Sequence, residues 1–293
     1  MSIAHEKYYV PHQSHWPIVG ALAMLFIGYG AALLVIQSSA GRFPFGSLLL
    51  IVGFLILFAM LFGWFSNVIE ESTSGLYSAQ MDRSFRQGMV WFIFSEIMFF
   101  AAFFGALFYT RMISVPWLGG ASNNVMTGEI LWPHFDAVWP LVKTPGGTET
   151  QAMPWAGIPL YNTLILLASS ITLQFAHIGI EKGRYLQVGF FMMLTIVLGL
   201  LFLGFQGYEY IHAYDDLGLR LDSGVYGNTF FLLTGFHGLH VTLGTIFIIV
   251  VFLRILVNNT FTTNRHFAFQ AAAWYWHFVD VVWLTLFVFV YVL

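Results

Sequence analysis

Glu96 is the first residue whose position asks for chemistry. It stands in Trp91-Phe-Ile-Phe-Ser-Glu-Ile-Met-Phe-Phe100, inside an apolar run from Gly88 to Arg111 that is long enough to cross a bilayer. At about 1.5 Å per residue, the carboxyl lies about 12 Å into that run. Its helical neighbours at i±3 and i±4 are Phe92, Ile93, Phe99 and Phe100, none of which hydrogen-bonds a carboxyl. An acidic side chain at such depth costs about 2.5–3.5 kcal/mol to insert, so it faces protein, cavity water or a partner. Two readings follow. One is a carboxyl bonded to a neighbouring helix as packing glue; the other is a site that touches protons, ions or lipid headgroups.

Two more polar constellations fall inside apolar runs. Thr234-Gly-Phe-His-Gly-Leu-His-Val241 places His237 and His240 at i, i+3, about 60° apart on one helical face. Such a pair could ligate a metal, given further ligands from other helices and an open position. The plainer reading is two imidazoles bonded to neighbouring helices, beside a close-packing face of Thr234, Gly238 and Thr242. Trp274-Tyr-Trp-His-Phe-Val-Asp-Val-Val-Trp283 puts His277 and Asp280 on one face, which invites an imidazole–carboxylate pair flanked by Trp276 and Trp283. The bare pattern fits a catalytic or a structural role.

Near the ends of other runs, Glu209, His212 and His177 read as solvated polar ends. Arg254 closes a run at an interface, where it snorkels or meets a lipid phosphate. His5, His12 and His15 lie in a polar N-terminal stretch. Histidine titrates near physiological pH, so the three could hold protons at a channel entrance.

The elements that carry these residues are membrane helices. Of 293 residues, 58% are hydrophobic and 9% charged, against about 25% charged in a soluble domain. A net charge of −3 offers no electrostatic footprint for nucleic acid. The lack of cysteine excludes disulfides, iron–sulfur clusters and thiolate metal sites. No cleaved signal peptide is expected, since Met1 to Trp16 holds one lysine, no long apolar core and no small-residue cleavage site.

Seven crossings are expected, over residues 16–37, 45–66, 88–111, 157–180, 185–213, 227–253 and 267–293. The fold class is therefore an all-α integral membrane protein. Residues 1–15 form an N-terminal arm, and the first two crossings form an antiparallel hairpin over 16–66, because the turn containing Gly41 and Pro44 is so brief. Residues 67–87 read as a polar loop, and 88–293 as a five-helix bundle interrupted by a long loop over 112–156. That loop is rich in Gly, Pro and Thr, and Trp117, Trp132, Trp139 and Trp155 suggest that it lies against a surface, with short helices of its own. Seven crossings put the termini on opposite sides. With the N-terminus cytoplasmic, inside segments hold Lys7, Arg83, Arg86, Lys182, Arg184, Arg254 and Arg265, and outside ones Arg42, Arg111, Lys143 and Arg220. The asymmetry favours that orientation.

Several of these segments are similar to those of a known family. Asp222-Ser-Gly-Val-Tyr-Gly227, Thr234-Gly-Phe-His-Gly-Leu-His-Val241 and Trp274-Tyr-Trp-His-Phe-Val-Asp-Val-Val-Trp283 closely resemble subunit III of the cytochrome c oxidases. So do Phe94-Ser-Glu-Ile-Met-Phe-Phe100 and Arg265-His-Phe267, and the likeness runs in family order over nearly the whole chain. The long interval resembles the enlarged outer loop of bacterial members. It implies a bacterial aa3-type haem-copper oxidase in the inner (plasma) membrane, with the C-terminus periplasmic.

The resemblance implies a hairpin of crossings one and two leaning away from crossings three to seven, with phospholipids in a V-shaped cleft. It implies no haem, copper or other metal in this chain. Those belong to subunits I and II, where electrons from cytochrome c reduce dioxygen to water and protons are pumped. This chain would have no catalytic centre; it would pack on subunit I, bind structural phospholipids, assist proton uptake and prolong the active lifetime. By motif, Glu96 matches the family's intramembrane carboxyl, with His237, His240, His277 and Asp280 as further proton-related side chains and His240 as its expected partner. Trp64 and Glu71 of Trp64-Phe-Ser-Asn-Val-Ile-Glu-Glu-Ser72, and Arg254, match positions near lipid headgroups. Two departures stand out. Thr73-Ser-Gly-Leu-Tyr-Ser78 lacks the paired histidines of some relatives, and Gln270 stands where a glutamate is common.

Other classes compete with this reading. A di-metal enzyme of the desaturase type would need several histidine boxes at the cytoplasmic surface, whereas of the chain's two H-x-x-H patterns, His12 to His15 and His237 to His240, the second is mid-membrane. A transporter would be favoured by inverted repeats and broken helices, and neither is visible. Subunit III of a quinol oxidase stays open, because the electron-donor site lies on another subunit.

Overall fold

In hydrocarbon no water satisfies a backbone N–H or C=O, so a spanning segment has to do so internally, as a helix. The computed structural model describes residues 9–11, 13–39, 45–258, 261–263 and 265–293. Its helices are α1 (Trp16–Ser39), α2 (Phe45–Thr73), α3 (Ala79–Tyr109), the one-turn α4 (Val115–Leu118), α5 (Ile158–Glu181), α6 (Tyr185–Asp215), α7 (Val225–Asn258) and α8 (Phe267–Leu286). Seven stretches, one for each of these helices except α4, which falls inside the third (Ala79–Asn124), are long and apolar enough to cross a membrane. The all-α membrane fold expected from composition is the fold the chain adopts.

The polar segment 67–87 departs from expectation. It is mostly helix, because α2 continues to Thr73 and α3 starts at Ala79. The polar extensions 67–73 and 79–87 contain neither Gly nor Pro, so each added residue only propagates a helix already nucleated. The break comes at Gly75, with φ 75°. The Ser78 hydroxyl then accepts from the Met81 N–H at 3.4 Å, opening α3.

The chain divides into two compact units between Phe85 and Arg86. Within the first, α1 and α2 pack along a seam of small residues. A side chain on Gly30 would come within 2.6 Å of the Leu50 backbone nitrogen, and one on Gly53 within 2.8 Å of that of Ile27. Ala23, on the same seam, is fully buried. Gln37 accepts a hydrogen bond from the Gly46 N–H at 2.9 Å, meeting one of the free donors at the start of α2. The turn around Gly41 and Pro44 lies outside the described residues.

In the second unit, α5 and α6 join through Lys182, Gly183 and Arg184. Gly183 takes φ 66°, and its N–H and that of Arg184 donate to Ile180 and Gly179 carbonyls at 3.0 and 2.8 Å, the paired bonds of a glycine-terminated helix. Helix α8 is the most enclosed span and touches both α5 and α7. Helix α3 meets the others through rings: Phe92 with Tyr275, Phe99 with Phe236, and Phe100 with Phe278, at centroid distances of 6.0, 5.1 and 6.1 Å.

The long interval carries α4 and short wider or tighter turns over Thr110–Ser114, Ser122–Asn124 and Thr127–Leu131. It lies on the connection between α6 and α7. The Gln151 N–H donates to the Leu217 carbonyl at 3.0 Å and the Met153 N–H to the Tyr226 hydroxyl at 3.2 Å. Of its four tryptophans, Trp139 is the one tucked in, edge-on to Tyr226 at 5.7 Å; Trp117, Trp132 and Trp155 are exposed.

Candidate functional site

Glu96 and His240 meet across α3 and α7, with Oε2 and Nε2 2.9 Å apart. Their side chains are 22% and 9% exposed. The other ring nitrogen, Nδ1, lies 2.6 Å from the Phe236 carbonyl oxygen. A carbonyl only accepts, so Nδ1 carries a hydrogen and donates it. One proton then bridges Glu96 and Nε2: either the acid donates to the imidazole, or the imidazolium donates to the carboxylate. In both forms the pair is neutral as a whole. Rings of Phe99 and Phe100 enclose the imidazole at 5.9 and 4.9 Å.

His237 shares a helical face with His240 but turns elsewhere. Its Nε2 lies 3.1 Å from the Val279 carbonyl and donates to it, while Nδ1 is buried without a partner. Phe202 and Trp283 flank the ring at 5.7 and 5.1 Å. The two histidines thus serve different helices. Among the described residues, no three His, Asp or Glu side chains gather as a metal site would need.

The pairing expected for His277 and Asp280 is not made. Nδ1 and Oδ2 are 4.0 Å apart, too far for a hydrogen bond. The Ser170 hydroxyl on α5 takes that nitrogen instead, at 2.9 Å. Both Asp280 oxygens are buried without a partner. Trp276 and Trp283, expected to flank the pair, donate their indole N–H groups to Ser169 and Thr163 at 2.9 and 3.0 Å. Glu209 also differs from its reading as a solvated end. It is fully buried and accepts from the Tyr291 hydroxyl at 2.7 Å.

The headgroup candidates are held as follows. Trp64 is exposed and stacks on Phe65 at 5.7 Å. Glu71 accepts from the Tyr77 hydroxyl at 2.8 Å and from the Tyr9 hydroxyl at 3.4 Å. Burial, and then this bond to Glu71, pushes the Tyr77 phenol well above its ordinary range. Arg254, in the other unit, is half-buried, with its guanidinium 4.8 Å over the Phe261 ring. His15 packs against Trp16 at 4.2 Å; His5 and His12 lie outside the described residues. Gln270 sits 3.0 Å from His266 Nε2, and His266 Nδ1 donates to the Thr262 carbonyl at 3.1 Å.

A family profile described as cytochrome c oxidase subunit III matches residues 5–293. The chain belongs to that family. Proteins named cytochrome c oxidase subunit 3 from Latimeria chalumnae and Marchantia polymorpha are each 39% identical to it, and one from Oncorhynchus mykiss is 40% identical. Each alignment covers 99% of this chain and 98% of the relative. As a subunit III, the chain works within an oxidoreductase complex of the membrane.

Sequence reasoning missed the hydroxyl side of this subunit III bundle. Thr163, Ser169, Ser170 and Thr172 recur along α5, and Thr172 bonds Thr195 of α6 at 2.7 Å. Small hydroxyl residues repeating through an apolar crossing are the available signal, since they gather at helix–helix faces.

The Glu96 geometry makes a sharp prediction. Glu96→Gln keeps a donor for Nε2 and is expected to stay near wild-type stability. Glu96→Leu leaves Nε2 unmet and is expected to cost about 1–3 kcal/mol. Unfolding midpoints of the detergent-solubilised complex, with His240→Phe completing a double-mutant cycle, check this. Equal midpoints for Gln and Leu would mean that the bond carries no stability.

Proposed function

We propose that this chain is the cofactor-free third subunit of a proton-pumping cytochrome c oxidase, where it supports turnover without hosting the reaction. The observation that carries the reading is the match to subunit III from residue 5 to residue 293. The side chains agree with it: His237 and His240 spend ring nitrogens on Val279, Phe236 and Glu96. In this reading haem and copper stay in subunits I and II, the chain packs on subunit I, and cytochrome c is met through the complex. The exposed apolar residues of α1, α2 and α3 suit contact with lipid and neighbouring subunits.

The supporting roles are proton delivery and durability. His5, His12 and His15 act as a proton antenna at the cytoplasmic face, and Glu96 with His240, and further His237, His277 and Asp280, form its intramembrane polar set. A complex purified without this chain is expected to keep its haem spectrum and initial oxygen reduction but to inactivate within fewer turnovers. Loss of the haems along with the chain would overturn the cofactor-free assignment. In the same assay, replacing the three histidines with Gln is expected to slow turnover more at high pH than at low pH, and a uniform effect would remove the antenna.

Phospholipid contacts are proposed for Trp64 and Glu71 in one unit and for Arg254 in the other, with Arg254 as a phosphate partner. Arg254→Ala is expected to lower the phospholipid retained per purified complex; unchanged retention would reduce Arg254 to a snorkelling side chain. The membrane is proposed to be a bacterial plasma membrane with the N-terminus inside, on the long 112–156 interval and the lysine and arginine asymmetry. A reporter fused after Leu293 is then expected on the outer side, and a cytoplasmic signal would reverse the topology.

A further inference from the structure

The stretch before α1 touches α2 at two points. At the first, the edge of the Trp16 ring lies on Gly63, where a Cβ would run into it. Trp16 opens α1, so this contact belongs to the helix pair itself. At the second, the Tyr9 hydroxyl donates to Glu71 Oε1 at 3.4 Å. The turn after α2 sets Glu71 for that bond. The Tyr77 hydroxyl donates to Oε2 at 2.8 Å, the Leu76 N–H donates to the Glu71 carbonyl at 3.3 Å, and the Tyr77 ring stands edge-on to Phe85 of α3 at 5.1 Å. The Tyr9 ring comes to 6.4 Å from that of Tyr77. One carboxylate thus takes a hydroxyl on each oxygen, one from the turn and one from the arm.

Between these two points the arm has slack. The seven residues from Tyr9 to Trp16 could reach about 23–25 Å when extended. Glu71 lies only eight residues of helix beyond Gly63, about 12 Å away. Among the described residues of 9–14, none makes a backbone-to-backbone hydrogen bond. Val10 is 74% exposed and gives the arm no apolar anchor. Chain connectivity therefore does not decide where Tyr9 lies; its side-chain contacts do.

We propose that Glu71 is the catch of an N-terminal strap, fastening Tyr9 to the α2–α3 turn and so holding the histidine-bearing arm against the end of α2. His15 stands between the two points of contact, with its ring 4.2 Å from that of Trp16. A carboxylate suits the task because it accepts on both oxygens, whereas an amide accepts on one. Glu71 is then a positioning residue for proton uptake. That consequence rests on the antenna reading of His5, His12 and His15; the fastening itself does not, and neither needs a lipid at Glu71.

Limited trypsin digestion of the purified complex tests the fastening. Lys7 stands two residues before Tyr9, and a protease has to draw the residues on both sides of its cut into an extended form. Cleavage after Lys7, read by mass spectrometry as loss of residues 1–7, tracks the open fraction of the strap. Tyr9→Phe, which removes a hydroxyl and keeps the ring, and Glu71→Ala are each expected to speed it about three- to tenfold, as for one lost hydrogen bond. Glu71→Gln, which keeps one acceptor, is expected to fall between wild type and Glu71→Ala. Thr73→Ala, which removes a neighbouring hydroxyl that bonds the Glu70 carbonyl at 3.0 Å, is expected to cut at the wild-type rate. Wild-type rates for both Tyr9→Phe and Glu71→Ala would overturn the catch. Turnover against pH then tests the positioning: both variants are expected to slow turnover more at high pH than at low pH, in the manner expected of the triple-histidine replacement. Faster cleavage with a wild-type pH profile would keep the catch and overturn its positioning role. The same unchanged profile from the triple-histidine variant would place that failure in the antenna reading instead.

Discussion

In hydrocarbon a polar side chain has to find its partner in protein, and three polar side chains of α8 find theirs on a neighbouring helix. Trp276, His277 and Trp283 reach Ser169, Ser170 and Thr163 of α5. On the other side, His237 of α7 reaches the Val279 carbonyl of α8. Each bond contributes only about 0.5–1.5 kcal/mol net, whereas a buried polar group left unmet costs about 1–3 kcal/mol. The larger number is the one that fixes geometry. A shift of α8 along α5 by one residue would break all three α5 bonds together, so they act as a register lock on a helix pair whose apolar surfaces alone would slide.

The two ways of packing helices here follow from side-chain size. Around Gly30 and Gly53 the backbones of α1 and α2 come so close that no side chain fits between them. Around α3 the gap is filled by Phe92, Phe99 and Phe100 and their ring partners. Small residues give dispersion contact between backbones; rings give edge-to-face contact across a wider space. The Glu96–His240 bond sits among these rings, and it adds direction to a contact that the rings leave loosely specified.

What could be read from the sequence follows the same physics. The seven spans were legible because the cost of inserting polar residues is a matter of composition. The helix ends were not, because the edge of the membrane does not end a helix: residues 67–73 and 79–87 stay helical in polar surroundings. Glu96 was visible as a polar group in need of a partner, but naming His240 required the family resemblance, since the two lie 144 residues apart. His277 and Asp280 were misjudged for the converse reason. Sharing a face put them near each other, but Ser170, 107 positions away, offered His277 the better-placed oxygen. Glu209 was taken for a solvated end because Tyr291, 82 residues further on, could not be seen beside it.

The neutrality of the Glu96–His240 pair has an electrical meaning. An energised membrane does about 2.3 kcal/mol of work on a unit charge carried all the way across at 100 mV. Here the only charge free to move is one proton between Oε2 and Nε2, which are 2.9 Å apart. That is at most about one tenth of a hydrocarbon core roughly 30 Å thick, so the field biases the proton by no more than about 0.2 kcal/mol. The pair therefore behaves almost identically in a resting and in a fully charged membrane.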